Sequence, residues 1–466
     1  MPENRKDVIV VQCRSNIVCE LNLKNFGAKA DGIYNNAAAF AEAVSVLHEA
    51  GGGTLTVPAG IWKTGPIKLC AKMTLHLAEG AVLRFIPDPE LYPPVYTRWE
   101  GVECYAMQAC LYCADSDSVT VTGKGVIDGS GDTWWDLRWQ KADQGGPKSP
   151  IECKLAALNP GYRSQPGGGG GREVQFLRPA LVQFYNCTNV RLEQVTLENS
   201  PFWTVHPVYC DNLLVRGITI RNPKDAPNTD GIDIDSCTNV QIVDCEVSVG
   251  DDGIALKSGS GEDGIRVNRP TRNVTVRGCT VRDAHGGMVI GSETAAGIRH
   301  VLAENCRFPG TDRGVRIKSR RGRGGEIYDV KLRNLVMEDN LCPIAINMYY
   351  KCGETDPKSP LFSLDAQPVT DSTPHVHDVE ITGVRASGCK ASAGFIAGLP
   401  ESPVGNLVIK DCVFRTDERS PESPMNSDMF YGLPEVAEKS FRVLNAPGAL
   451  FENVRIEGPS EPFVYG

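Results

Sequence analysis

Asn239-Val240-Gln241-Ile242-Val243-Asp244-Cys245 is the stretch that decides the fold. A turn-forming residue opens it, and apolar and polar side chains then alternate up to Cys245. Alternation with period two marks a strand with one buried face. The same unit, Asn or Asp followed by an aliphatic residue and then a strand, recurs at Asn189-Val190, Asn212-Leu213, Asn273-Val274, Asp329-Val330, Asp378-Val379 and Asn406-Leu407. Neighbouring units lie roughly 23 to 56 residues apart, the longest step being about two repeats, as in a solenoid with insertions. Six positions after each turn residue stands Val195, Ile218, Cys245, Cys279, Leu335, Val384 or Cys412, all apolar and of middling size. Strands this short bury no core alone, but stacked coils do. The repeat therefore predicts an all-β chain, a single right-handed parallel β-helix domain over residues 1–466 with about ten coils.

Working outward from the array, Asn35-Asn36 is suited to start a helix, with Phe40, Val44 and Leu47 on one face and Gly51-Gly52-Gly53 ending it. A helix over 35–50 would cap the open end of the coil stack and hide its unpaired edge. Residues 134–172, rich in Trp, Lys and Pro and finishing in five glycines, read as a long loop inserted near the groove. A second irregular stretch runs over about 420–439.

Of the 466 residues, 41% are hydrophobic and 23% charged, a globular composition, and the formal net charge of -9 favours no nucleic-acid partner. The apolar run Val8 to Val11 is too short for a signal-peptide core or a membrane span, so a cytoplasmic location is expected, or secretion if a signal has been removed. The 17 cysteines are an odd number in a chain that is not small, and only Cys110 and Cys113 form a C-x-x-C pair. They fit small buried apolar residues better than a disulfide framework or a metal site.

Four short motifs gather the polar chemistry: Asn228-Thr229-Asp230, Gly250-Asp251-Asp252-Gly253, Ala284-His285-Gly286 and Arg316-Ile317-Lys318. Their first members are separated by about one coil each, and residues one coil apart stack at about 4.8 Å. The four motifs should therefore form one patch. Glycoside hydrolysis needs one protonated carboxyl and one ionised carboxylate. Asp230, Asp251 and Asp252 supply three, and crowding raises at least one pKa. His285 would support the acid, and Arg316 and Lys318 would pair with a uronic carboxylate. Adjacent Asp251 and Asp252 reach one face only if Gly250 and Gly253 permit a turn. Taken singly, each motif also reads as a turn, a calcium loop or a solvated basic run; their order and spacing set them apart.

With these motifs in this order, the chain resembles the polygalacturonase family, glycoside hydrolase family 28, from about Asn25 to Asn347. Asn25 to Gly32 resembles the family's opening, and Ser200-Pro-Phe-Trp-Thr-Val-His206-Pro207 resembles the coil before its site. The resemblance implies a pectin-lyase-like β-helix and inverting hydrolysis of α-1,4-galacturonosyl bonds in pectic poly- or oligosaccharides. It implies no cofactor and no metal. Asp251 would be the general acid, with Asp230 and Asp252 acting on water across a gap of about 6.5 to 9.5 Å. His285 would support Asp251. Asn228, His206, Arg316, Lys318 and one of Tyr349 or Tyr350 would bind the sugar. Ala284 stands where the family has glycine. The segment 86–100 and Trp134-Trp135 resemble exo-acting bacterial members, and the 134–172 insertion is placed to close one end of the groove. The rival readings are a rhamnogalacturonan or xylogalacturonan hydrolase, a calcium-dependent pectate lyase, and a non-catalytic carbohydrate-binding β-helix.

Overall fold

The computed structural model describes residues 9–13, 16–144, 149–161 and 176–466. The chain winds into stacked coils whose strands pair in parallel with the coils before and after. One ladder is a twelve-stranded sheet running from Ile67–Lys68 to Phe463–Tyr465. Two further parallel ladders complete each coil, as in the pairing of Thr188–Glu193 with Asp211–Arg216 and of Thr196–Glu198 with Thr219–Arg221. Twelve strands exceed the expected ten coils, because the first and last coils lie outside the stretch where the Asn/Asp turn signal recurs.

The turn residues explain the stacking. All seven adopt a left-handed backbone, from φ 44° at Asn406 to φ 58° at Asn212, a conformation that Asn and Asp tolerate better than other side chains. Their amides also join the coils: Asn212 donates to Asn189 at 2.6 Å, and Asn273 to Asn239 at 3.0 Å. The longest step conceals a full coil, whose turn position is filled by His300 at φ 55°. Six residues on, Cys306 completes the inward ladder of Val195, Ile218, Cys245, Cys279, Leu335, Val384 and Cys412, every member at most 1% exposed. The step from Asp329 to Asp378 is instead one coil, since Val330 pairs with Val379, and it is lengthened by residues 348–374.

Helix α1 (Ala37–Glu49) packs on the first coil through Ala39, Phe40, Ala43 and Leu47, with the Asn35 side chain accepting from the Ala37 amide at 3.1 Å. Where the sequence reads as a long loop, the described part of 134–172 is largely helical: α2 (Gly131–Gln144) and α3 (Pro150–Leu158). Helix α3 opens with a Ser149–Glu152 capping box and Pro150 in its first turn, a start signal that satisfies exposed amides. The five glycines lie outside the described residues. Trp134 is buried edge-on against Tyr92 at 5.1 Å, and the Trp135 indole donates to the Ser200 carbonyl. These tryptophans anchor the insertion to the coils and present no free face to a groove.

A second insertion includes part of the segment 86–100, whose sequence resembles exo-acting members. Pro94–Trp99 and Val102–Met107 form an antiparallel hairpin. It lies on the outward face of the coils that carry Val182–Tyr185, Val205–Val208 and Ile232–Asp235. Thr97 donates to Gln183 at 3.1 Å, Arg98 to Asp235 at 2.7 Å, and Trp99 stacks on Phe202 at 4.7 Å. Helix α4 (Gly261–Val267) braces the hairpin, with the Asp263 carboxylate accepting from the Glu103 amide.

Candidate active site

The parallel register brings the four motifs together. The Gly231 amide donates to the Asp252 carbonyl, Asp252 pairs with Gly286, and Gly286 with Arg313. Asp230 precedes the strand Ile232–Asp235, and Asp251 sits in the bend before the strand Asp252–Lys257. Gly250 and Gly253 serve a different purpose from the one expected: neither has a positive φ. Both are needed for close approach, since a Cβ on Gly250 would lie 2.5 Å from the Ala226 carbonyl oxygen and one on Gly253 2.3 Å from Val281. The turn that brings both aspartates to one face comes from the bend at Asp251 itself.

Asp230, Asp251 and Asp252 each contribute a carboxylate oxygen to a group lying within 4.8 Å of one another. This corrects the expected separation of 6.5 to 9.5 Å between Asp251 and Asp230; residues stacked at the spacing of adjacent strands converge too closely for it. Each carboxylate has a cationic side chain nearby. Lys318 Nζ is 2.5 Å from Asp252, with Arg316 at 3.6 Å. His285 Nδ1 is 3.4 Å from Asp251, and Lys257 Nζ is 3.8 Å from Asp230. The trio is the one group of the described residues arranged to surround a metal ion. The positive charge that an ion would bring is already supplied by the chain's own side chains.

The partners divide the protonation states. Burial and the neighbouring Asp233 and Asp251 charges push Asp230 well above the ordinary carboxylate range. Burial also pushes Asp251 up, but the His285 hydrogen bond and charge, with Lys318 and Lys257, outweigh it and hold the carboxyl at about 2. The Asp251 contact in turn raises His285 above its ordinary value. The proton of this pair is thus drawn to the imidazole, which is half exposed to solvent, and the carboxyl whose proton affinity crowding raises is Asp230.

Arg316 donates to Asp428 Oδ1 at 3.1 Å, and Tyr350 lies beside both cations, its ring centre 5.2 Å from the Arg316 guanidinium and 5.0 Å from Lys318 Nζ. Tyr349 is turned inward against Phe430 and does not reach the trio. His206 is also withdrawn: it is buried beneath the hairpin, bonded to Gln183 at 3.0 Å and edge-on to Trp203 at 4.8 Å. It does not face the groove because Trp203 and the hairpin cover it. Asn228 stands at the rim with its amide oxygen held by Arg178 at 2.9 Å, which leaves the NH2 directed elsewhere. Ala284 is fully buried in the core, where its methyl is accommodated, and the His285 amide keeps its bond to the Asp251 carbonyl at 2.9 Å.

The basic run from Arg313 to Arg323 is internal rather than solvated. Arg313 bonds the Ser427 and Asn426 carbonyls, Arg320 those of Tyr350 and Cys352, Arg321 pairs with Glu401 and Arg323 with Glu293. Asp428, Arg178, Lys257 and Glu293 also belong to the site and lie outside the four motifs. Lys257 has one visible signal, a charge that closes the strand Asp252–Lys257 directly after Ile254-Ala255-Leu256. Asp428 has none, lying 112 residues from the arginine it holds.

A family model described as Glycosyl hydrolases family 28 matches residues 169–393. A Vitis vinifera protein named "Probable polygalacturonase" is 35% identical over 338 residues, 70% of this chain and 62% of that protein. The chain thus spans less than two thirds of that relative's length. The exo-poly-α-D-galacturonosidase of Dickeya chrysanthemi is 28% identical over 421 residues, 84% of this chain and 69% of that protein. The crystal structure of a hyperthermoactive exopolygalacturonase from Thermotoga maritima superposes with a TM-score of 0.75 at 31% identity, covering 98% of this chain and 95% of that one. With that near-complete overlap in both sequence and coils, the chain belongs to glycosyl hydrolases family 28.

Proposed function

We propose that the chain hydrolyses α-1,4-galacturonosyl bonds of pectic poly- or oligogalacturonides, removing sugars from the chain end with inversion. The observation that carries this reading is the trio of aspartates on one face, each within 4 Å of a cationic side chain. Asp251, with His285, delivers a proton to the glycosidic oxygen as the C–O bond breaks. Water held by Asp230 and Asp252 forms the new C–O bond and gives its proton to the ionised Asp230. Lys318 uses one direction of its ammonium on Asp252 and keeps others for a sugar carboxylate, with Tyr350 alongside.

End-wise action is supported by the hairpin of residues 94–107, which buries the outward face of the coils just before Asp251, and by the names of two relatives. Inversion is supported by the state of Asp252: two cations tie up its charge, which suits orienting water better than attacking carbon. Against it stands the short approach of the carboxylate oxygens, since retaining pairs lie about 5 Å apart. The anomer decides.

The test is trigalacturonate followed by proton NMR, beside polygalacturonate followed by viscosity. The expected result is monogalacturonate in the β form as the first small product, with slow loss of viscosity. An α first product would remove inversion, mixed oligomers would remove end-wise action, and cleavage of rhamnogalacturonan fragments alone would remove the substrate.

A further inference from the structure

Beneath the trio lies a second charged group that no motif singles out. Lys257 Nζ is 3.1 Å from Glu293 Oε2, 3.5 Å from Asp233 Oδ1 and 3.8 Å from Asp230 Oδ2, and 4.4 Å from the centre of the Trp203 ring. All four partners are buried, as is Arg323, which holds the other Glu293 oxygen at 3.2 Å. Neither oxygen of Asp233 makes a hydrogen bond. A buried carboxylate without hydrogen bonds is costly unless it is protonated or faces a cation. Here three carboxylates, Asp230, Asp233 and Glu293, share two cations, Lys257 and Arg323. Glu293 touches both and takes most of their charge. The remaining pair, Asp230 and Asp233, has the far side of one ammonium between them.

The group is therefore one positive charge short of neutral, and one proton restores the balance. The other charges facing Asp230 are Asp251 and Asp252, but these are answered by His285 and by Lys318, while Arg316 is held chiefly by Asp428. A base must be ionised to accept the proton of water. What decides whether Asp230 is ionised at a given pH is the share of the Lys257 charge that reaches it.

Resting on the hydrolase reading above, we propose that Lys257 is a positioning residue for catalysis: its ammonium, wedged between Asp230 and Asp233, keeps Asp230 available as the base and sets the lower pH bound of turnover. Asp233 works against it by drawing on the same ammonium. The directions of the protonation equilibria agree. Asp230 and Asp233 are both pushed well above the ordinary carboxylate range, with burial the largest cause and Lys257 opposing it in each. Lys257 itself stays charged despite burial, because Glu293, Asp233 and Asp230 outweigh it.

The experiment is the pH profile of kcat/KM on trigalacturonate for the full chain and for Lys257→Met, Lys257→Arg and Asp233→Asn, with circular dichroism to show each is folded. Lys257→Met should move the acid limb up by about one pH unit or more, because a lowering charge is gone. Asp233→Asn should move it down, because the competing carboxylate is gone. Lys257→Arg should return the limb toward the native position. A structural defect alone would lower rates without moving limbs in opposite directions. Limbs that stay in place, or that move the same way in both variants, overturn the proposal; if Lys257→Met does not fold, Asp233→Asn alone decides. A native chain that leaves trigalacturonate uncut overturns the hydrolase reading instead.

Discussion

Asp251 and His285 show how much depends on single contacts. At 3.4 Å the pair holds one proton on the imidazole side, so Asp251 must regain it as the glycosidic oxygen arrives and excludes water. Asn in place of Asp251 keeps the shape and loses the transfer. Asp251→Asn should lower kcat by about 100-fold or more with KM within a few-fold of native, since proton transfer contributes to the transition state and little to binding; near-native turnover in steady-state assays would remove Asp251 from that role. The residues of this site were legible where the chain repeats itself. Asp230, Asp251, Asp252, His285, Arg316 and Lys318 fall one coil apart, so a fixed spacing brings them together. Asp428 was not legible, because nothing periodic links it to Arg316. The repeat alone does not choose between Tyr349 and Tyr350 or show that His206 is covered: Phe430 packs on Tyr349, Tyr350 lies beside Arg316 and Lys318, and Trp203 packs on His206.

At the scale of elements, the strands were easier to read than what is hung on them. The Asn/Asp turns carry a backbone requirement that the side chain reveals, and the hairpin of residues 94–107 carries one in its Glu100-Gly101 turn, where Gly101 has φ 81°, but its place on the coils is set by contacts with residues more than a hundred positions away, such as Asp235. The pair of Arg98 and Asp235 is wholly buried, and removing one partner alone would cost about 3–5 kcal/mol by stranding the other charge. The double variant Arg98→Met with Asp235→Asn removes the attraction while keeping volume. It should loosen the hairpin, so that viscosity of polygalacturonate falls faster for each reducing end released. An unchanged ratio would mean that the hairpin does not limit where the polymer binds.

Across the whole molecule, each inward residue touches its counterparts in the coils on either side. Leu332 is in register with Ala303 and Ile381 and is 1% exposed. Leu332→Ala should cost about 2–5 kcal/mol, read as a lower urea midpoint, because stacked coils have little freedom to close the hole; a loss below about 1 kcal/mol would show that they do. The coil count was underestimated for the same reason that His300 was overlooked: stacking demands a left-handed turn and an apolar ladder position, and a side chain other than Asn or Asp can meet the first. The hairpin has a last consequence, for traffic. If one end of the groove is blind, the sugar cut off there lies behind the rest of its own polymer, and both must use one mouth. The cleaved monomer leaves only after the remaining chain has withdrawn. Each encounter then yields a single cut, and a population of polymers shortens evenly instead of one being consumed before the next.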